Sequence, residues 1–230
     1  MHTRLELGSI AGVPIYLDMF FLLILFIFSS EYFTSGNSQT MSMGMLIIAG
    51  MIGSILLHEL GHGIVARLFK VRIGHIDLTG LGGVIHFASA LPRNGLKRAA
   101  IFLAGPAVSY LLSLGCGALA SVAAGAGKPL VAMVLFQLAM INVYFAWFNL
   151  LPAYPLDGGN TLEALLNTVT SQIWAQRVVS VLGLVVAAYL VFLAIPTLPR
   201  SIFLLMLAFF TAELNYAAFK QVGGLGGRRR

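Results

Sequence analysis

The chain has 230 residues, of which 59% are hydrophobic and only 10% are charged, and its mean hydropathy is +0.92. This composition excludes a soluble globular protein, and the length leaves room for about six spans of roughly 20 residues each but not for a second sizeable soluble domain. The net charge of +6 is expected to reflect membrane topology rather than a nucleic-acid partner, because basic residues in so apolar a chain flank its spans.

Apolar runs predict an all-α polytopic membrane protein with six transmembrane helices and one short, membrane-associated β-hairpin between helices two and three. The first run lacks a small-residue cleavage site, so we expect a retained helix rather than a signal peptide. Partial alternation around a Gly-rich turn indicates the hairpin at about 71–90. We expect a single domain over 1–222 and a flexible basic tail at 223–230. The predicted spans are about 13–30, 43–69, 97–124, 130–151, 177–195 and 200–219.

The distribution of basic residues predicts the orientation of these spans. If the N-terminus is cytoplasmic, six crossings place 12 Lys and Arg residues on the cytoplasmic side and leave only Lys128 and Arg200 outside. The positive-inside rule therefore favours six spans with both termini in the cytoplasm. The same alternation places the second half of helix two and the end of helix four on the cytoplasmic side.

The second predicted helix carries an HExxH motif, His58-Glu59-Leu60-Gly61-His62. Histidines at i and i+4 lie one turn apart on the same helical face, so both imidazoles can reach one metal ion, for which zinc is the natural candidate. Glu59 is then placed to act as a general base on water at the metal. Three ionisable groups in an apolar helix require compensating partners. A hydrogen-bond network between helices is the alternative to a metal, and it is disfavoured because all three motif positions are filled at the correct spacing.

A catalytic zinc usually has three protein ligands, and the third is expected outside helix two. Asp157 is the best candidate, because it follows the Pro152 and Pro155 break at the end of helix four. The alternative is an N-cap role for Asp157, and geometry alone leaves the two nearly even. Asn142 and Asn149, seven residues apart on helix four, lie on nearly one face; they either contact substrate, fix a loop or bond between helices.

The remaining polar residues lie in the hairpin and in the first and last spans, and their spacing indicates no specific chemistry. His75 and His86 lie in the hairpin, and a surface or turn role is expected because neither has a second ligand at useful spacing. Asp18, Glu213 and Asn215 lie in or near the first and last spans, where interfacial solvation is the simplest account.

HELGH in helix two together with NLLPAYPLDGG over 149–159 resembles the site-2 protease family of intramembrane zinc metalloproteases. LTGLGGV over 78–84 resembles the family's Gly-Gly hairpin, and AGPAVS over 104–109 resembles its AGPxxN signature; the likeness covers about 12–166. The resemblance implies one Zn²⁺ per chain. It implies that His58, His62 and Asp157 bind the zinc and that Glu59 activates the water. The predicted substrate contacts are Gly82, Gly83, Asn142 and Asn149.

The sequence departs from the family pattern at two positions. Ser109 stands where the family commonly has Asn, and Asn160 stands where many members have Arg. We expect both to affect substrate or partner contacts, since neither is expected to touch the zinc ligands. The hairpin loop and tail are too short for the PDZ domain or CBS pair that many relatives carry, so a minimal form of the family is expected.

The resemblance implies hydrolysis of a peptide bond within or near the transmembrane segment of a membrane-anchored substrate, as in regulated intramembrane proteolysis. It also implies substrate entry near the first and last spans, so a gate between those helices is the alternative account of Asp18, Glu213 and Asn215. The expected partners are the lipid bilayer and a single-span protein such as an anti-sigma factor, a pro-sigma factor or a signal-peptide remnant, in a bacterial plasma membrane. Nothing in the sequence indicates an oligomeric state. The alternative is a catalytically silent zinc-binding membrane scaffold of the same fold, which Glu59 disfavours because a structural zinc needs no general base.

Overall fold

The computed structural model describes residues 4–34, 36–80, 82–198 and 201–226, and it is mostly helical. Its strands are β1 (Arg4–Ile10), β2 (Val13–Asp18), β3 (Ile73–Thr79) and β4 (Gly82–Phe87). Its helices are α1 (Met19–Thr34), α2 (Ser38–Leu68), α3 (Gly95–Gly125), α4 (Pro129–Asn149), α5 (Asp157–Leu166), α6 (Gln172–Ala194) and α7 (Ile202–Gly226), with a 3₁₀ turn at Ile195–Thr197. Internal contacts group the chain into two compact units, Met1–Leu91 with Ala104–Ala146 and Pro92–Leu103 with Trp147–Arg230.

The four strands form one mixed sheet in the order β1-β2-β3-β4. β1 pairs antiparallel with β2, β2 pairs parallel with β3, and β3 pairs antiparallel with β4. The sequence predicted only an isolated hairpin and an otherwise all-α fold. The structure corrects this, because β3 and β4 belong to a larger sheet in which β4 is the last strand of the described chain.

The start of the first predicted span is wrong, because residues 13–18 form strand β2 rather than helix. Val13, Ile15 and Leu17 are buried, while the residues between them are only partly buried. This period of two places alternate side chains on opposite faces of a sheet, which a helix cannot do. Helix α1 consequently has 16 residues, fewer than the roughly 20 that a helix needs to cross a bilayer.

Four of the described helices are long and apolar enough to cross a membrane: α2, α3, α4 and α6. The chain is therefore a multi-pass membrane protein by the length and composition of its helices. Helix α7 continues to Gly226 and includes residues 223–226, which the sequence assigned to a tail, and 227–230 lie outside the described residues. The single domain expected over 1–222 stays a prediction.

The core of the first unit forms where the sheet packs on helices. Ile76 and Leu78 of β3 are buried together with the inward side chains of β2, and they pack against Phe21 of α1 and Ile55 of α2. The other face of β3 carries His75 and Asp77, because successive strand residues point to opposite faces. The sheet thus holds β4 beside the second half of α2, where the HExxH motif lies.

The second unit contains a buried amide that links α7 to the segment before α5. Asn215 is fully buried, and its Nδ2 donates to the carbonyl oxygen of Tyr154 at 2.8 Å while its Oδ1 accepts from the Tyr154 N–H at 3.2 Å. A Cβ at Gly183 of α6 would overlap this amide. Neither interfacial solvation nor a gate describes Asn215, because it fixes backbone three residues before Asp157.

Candidate metal centre

The two histidines of the HExxH motif are buried side by side on α2. Their rings meet edge to face with centroids 4.9 Å apart, and a pair of ligand nitrogens from the two rings lies within 4.8 Å. Both Nε2 atoms face the same point on α3, where a Cβ added to Gly105 would overlap them. The i, i+4 spacing therefore brings two imidazole nitrogens to one small space, which glycine leaves open.

Gly61, between the two histidines in sequence, lets α3 approach α2 this closely. A Cβ at Gly61 would lie 2.8 Å from Val108 Cγ2 and 2.9 Å from the Ala104 carbonyl oxygen, both tighter than real side chains allow. Small residues at helix contacts in membranes permit such backbone approach. The same contact brings Gly105 and Ser109 of α3 next to the histidines.

Ser109 touches a predicted zinc ligand, so the expectation that it lies away from those ligands is wrong. Its Oγ lies 2.9 Å from His58 Nδ1, and both groups are buried. When Ser109 accepts this hydrogen bond, Nδ1 carries the proton and the lone pair of Nε2 is directed to the Gly105 space. Such outer partners fix the tautomer and orientation of metal-binding histidines. The sequence could not predict this contact, because the two residues are 51 positions apart.

Glu59 is buried beside the edge of the sheet. A Cβ at Gly83 would come within 2.5 Å of the Glu59 carboxylate oxygen Oε1, so the backbone of β4 packs directly on this side chain. Each glycine of the Gly-Gly pair in the hairpin therefore has a separate physical role. Gly82 has a φ of +122°, a conformation that side-chain-bearing residues rarely adopt, and Gly83 admits the carboxylate.

The predicted substrate-binding asparagines lie in different surroundings. Asn142 is buried, and its Nδ2 donates to Ser54 Oγ on α2 at 2.8 Å and to the Leu138 carbonyl at 2.9 Å. This is the interhelical hydrogen bond that the sequence left open as one alternative. Asn149 is the last residue of α4, and its contact with substrate stays a prediction.

In the second unit, Asp157 is the first residue of α5, and Leu156 occupies the N-cap position without a side-chain hydrogen bond. Asp157 thus lies in the first turn rather than at the cap. Close packing fixes this turn, because a Cβ at Gly158 would overlap the Leu150 carbonyl oxygen and one at Gly159 would lie 2.6 Å from that of Ala153. Because neither glycine has a side chain, the preceding loop can pack against the start of α5.

A partly buried hydrogen bond further anchors this loop. The Tyr154 hydroxyl donates to Glu163 Oε2 at 2.7 Å, and Arg98 lies 3.5 Å from the other carboxylate oxygen of Glu163. Burial, followed by the hydrogen bond and charge of Glu163, raises the pKa of Tyr154 well above its ordinary value. The phenol therefore stays protonated and remains a donor at all physiological pH values.

A second group of ionisable residues lies on the outer face of the sheet. His75, Asp77 and His86 each offer a ligand atom, and these atoms lie within 4.8 Å of one another. The sequence argument that neither histidine has a second ligand at useful spacing is therefore wrong. The missed indication is the i, i+2 spacing of His75 and Asp77, which places both on one face of a strand.

Comparison with known proteins agrees with the motifs. The model of peptidase family M50 matches residues 46–129 and 120–193. A zinc metalloprotease of Methanocaldococcus jannaschii is 31% identical over 215 residues, which cover 91% of this chain and 59% of that protein. The Mycobacterium tuberculosis protein Rip3 is 34% identical over 204 residues, 82% of this chain and 51% of its own length. The solved site-2 protease of M. jannaschii matches with a TM-score of 0.68 at 23% identity, over 94% of this chain and 95% of that one.

The chain belongs to peptidase family M50, the site-2 protease family. The solved structure shows that the fold is shared. The chain spans little more than half the length of the two curated relatives.

Proposed function

We propose that this protein is an intramembrane zinc metalloprotease, which hydrolyses a peptide bond within or near the transmembrane segment of a membrane-anchored substrate. The observation that carries the proposal is the arrangement on α2, where two buried imidazoles face one glycine-lined space with a buried glutamate between them in sequence. Membership of a peptidase family supports the same conclusion.

His58 and His62 fit a zinc ion, because their Nε2 atoms face a space that a single Cβ would fill. We propose Asp157 as the third ligand. Its support is the LDG motif, the resemblance of that motif to the family pattern, and a carboxylate in the first turn of α5 behind a tightly packed loop. Two histidines and a carboxylate are a donor set that catalytic zinc uses. Bound zinc would supply Lewis acidity and lower the pKa of water at the site.

Glu59 is the proposed general base and acid. A buried carboxylate adjacent to the first histidine can take a proton from the attacking water and later deliver it to the leaving amine. The packing of Gly83 on its side chain restricts the orientations that the carboxylate can adopt. Because β4 holds Glu59 in this way, the base remains aligned for proton transfer.

The substrate is proposed to be a single-span membrane protein, such as an anti-sigma factor, a pro-sigma factor or a signal-peptide remnant. A transmembrane helix has satisfied its own backbone hydrogen bonds and must unwind before attack. The exposed edge of β4 could bind the unwound segment by strand addition, with Gly82 and Gly83 next to the base. This agrees with the position of β4 as the last strand of the described sheet.

The proposed setting is a bacterial plasma membrane, with both termini in the cytoplasm. Six crossings require α1, as a short span that the bilayer meets by local thinning, and α7 in addition to the four long apolar helices. The excess of Lys and Arg on one side of the predicted spans supports this orientation. It brings the HExxH half of α2 and the Asp157 segment to the same, cytoplasmic, side.

Metal content of variants in detergent tests the proposed ligands. His58→Ala, His62→Ala and Asp157→Ala should each lose about one zinc ion per chain after dialysis against a weak chelator, because two ligands hold zinc far more weakly than three. Asn160→Ala, three residues further along α5, is the matched control and should keep the metal. Full zinc content in Asp157→Ala would exclude Asp157 as the third ligand, whereas full content in the histidine variants would refute the whole site.

A further inference from the structure

The outer face of the sheet brings together two histidines and a buried aspartate. His75 and Asp77 are two residues apart on β3, and His86 is the direct register partner of His75 on β4. Asp77 Oδ2 lies 3.1 Å from His86 Nε2 and 3.5 Å from His75 Nε2. The two imidazole rings stack with centroids 4.2 Å apart and planes 14° apart, so both face the same carboxylate.

The groups of the described residues leave this cluster incompletely paired. The Asp77 side chain is only 7% exposed, and burying a carboxylate is costly unless its oxygens are paired. Asp77 Oδ1 and His75 Nε2 nevertheless have no hydrogen-bond partner among the described residues. Among the described residues, the permanently charged group next to Asp77 is the Arg4 guanidinium at 3.3 Å, from a side chain that is 51% exposed.

The spacing of the donor atoms suits a transition metal. Ligands at zinc bond lengths of about 2.0–2.1 Å in a tetrahedral arrangement lie roughly 3.3 Å apart. The 3.1 Å and 3.5 Å separations bracket that value. Two imidazole nitrogens and one carboxylate oxygen suit zinc, cobalt and nickel better than calcium or magnesium, which prefer all-oxygen sites.

We propose that His75, Asp77 and His86 form a second metal site, which binds a divalent transition metal ion of the zinc class. The site lies on the face of β3 opposite the apolar core and is separate from the centre at His58 and His62. The ion would join β3 to β4, the strand whose Gly83 packs on Glu59. Arg4 competes with the metal for Asp77, because both are cations directed at the same oxygen.

Titration of the metal-stripped full chain with Co²⁺ tests this site. The titration is made in a His58→Ala/His62→Ala background, so the result does not depend on whether the first site binds metal. We expect about one Co²⁺ per chain with the visible absorption of a four-coordinate ion. Further substitution of His75→Gln or His86→Gln should weaken binding at least about 10-fold, because each removes one of three protein ligands.

Two further variants test the competition for Asp77 and provide a control. Arg4→Gln should strengthen Co²⁺ binding, since it removes the competing cation. Val84→Ala, two residues from His86 on the same face, should leave binding unchanged. Both histidine side chains are partly exposed, and an unchanged size-exclusion profile shows that each variant is folded. If the background variant misfolds, zinc content is measured instead in the intact chain and in His86→Gln. We expect His86→Gln to contain about one zinc ion fewer per chain. Binding that His86→Gln leaves unaltered, or no Co²⁺ binding in the folded His58→Ala/His62→Ala background, would refute the second site.

Discussion

Replacing Gly105 by Ala should remove zinc from the candidate centre without removing a ligand. The new Cβ would lie 2.6 Å from His58 Nε2 and closer still to His62 Nε2, whereas ordinary contact begins at 3.4 Å. The His58 ring must therefore retreat by about 0.8 Å, which is several times the roughly 0.2 Å tolerance of metal–ligand distances. We expect the zinc affinity to fall at least about 100-fold, or about 2.7 kcal/mol.

Gly115→Ala on the same helix is the matched control, because a Cβ there meets nothing within 4 Å. Alanine within a helix is favoured over glycine by about 0.5–1 kcal/mol, so this variant should be as stable as the intact chain or slightly more stable. Zinc affinity is measured by competition with a chromogenic chelator in detergent. Equal affinity in Gly105→Ala and Gly115→Ala would refute the geometry assigned to the two imidazoles.

Three further substitutions test contacts around the site. Ser109→Ala should lower zinc affinity by about 10- to 100-fold, because it removes the hydrogen bond that orients His58. A double-mutant cycle of Asn142→Ala and Ser54→Ala should give a coupling of about 0.6 kcal/mol, and at most about 1.7, in the free energy of unfolding, as for other hydrogen bonds between membrane helices. Tyr154→Phe should destabilise the chain by about 1–3 kcal/mol, since it leaves the buried Glu163 without its donor. Because folding raises the pKa of Tyr154, its contribution is complete below its ordinary value of 10.0 and is lost as the pH rises above it.

The Ser109 contact has a matched control on the same helix. Ser121→Ala, which loses only a bond to its own helix, should retain zinc, and equal affinity in Ser109→Ala would mean that His58 needs no such partner. A coupling of zero would show that Asn142 and Ser54 do not interact. The decline in stability above pH 10 should be shallower in Tyr154→Phe, and an identical slope in both chains would contradict the assignment to Tyr154.

Local spacing explains why the HExxH motif could be read from the sequence. An i, i+4 pair meets on any helix, so His58 and His62 needed no tertiary information. The contact of Ser109 with His58 and the glycine space at Gly105 depend instead on how α3 packs on α2. No pattern within either helix encodes that packing, although small residues on both faces are compatible with it.

The sheet was harder to predict than the helices for a related reason. Val13–Asp18 forms a six-residue strand that runs directly into an apolar helix, so the whole run resembled one span. Its alternation was visible and could have identified β2. His86 lies beside His75 only because of the register between β3 and β4. The length of the turn sets that register, and the sequence does not fix the length of the turn.

Cleavage of a reconstituted single-span substrate tests the central claim most directly. The intact chain, Glu59→Gln and the control Glu31→Gln, which makes the same change on an exposed helix residue, are compared at equal zinc content, and mass spectrometry locates the cut. We expect the intact chain and Glu31→Gln to cut within or beside the transmembrane segment. Glu59→Gln should be slower by about 10²- to 10⁴-fold, the usual contribution of a general base. Cleavage by Glu59→Gln at the intact rate would contradict the proposed role of this glutamate and with it the protease mechanism.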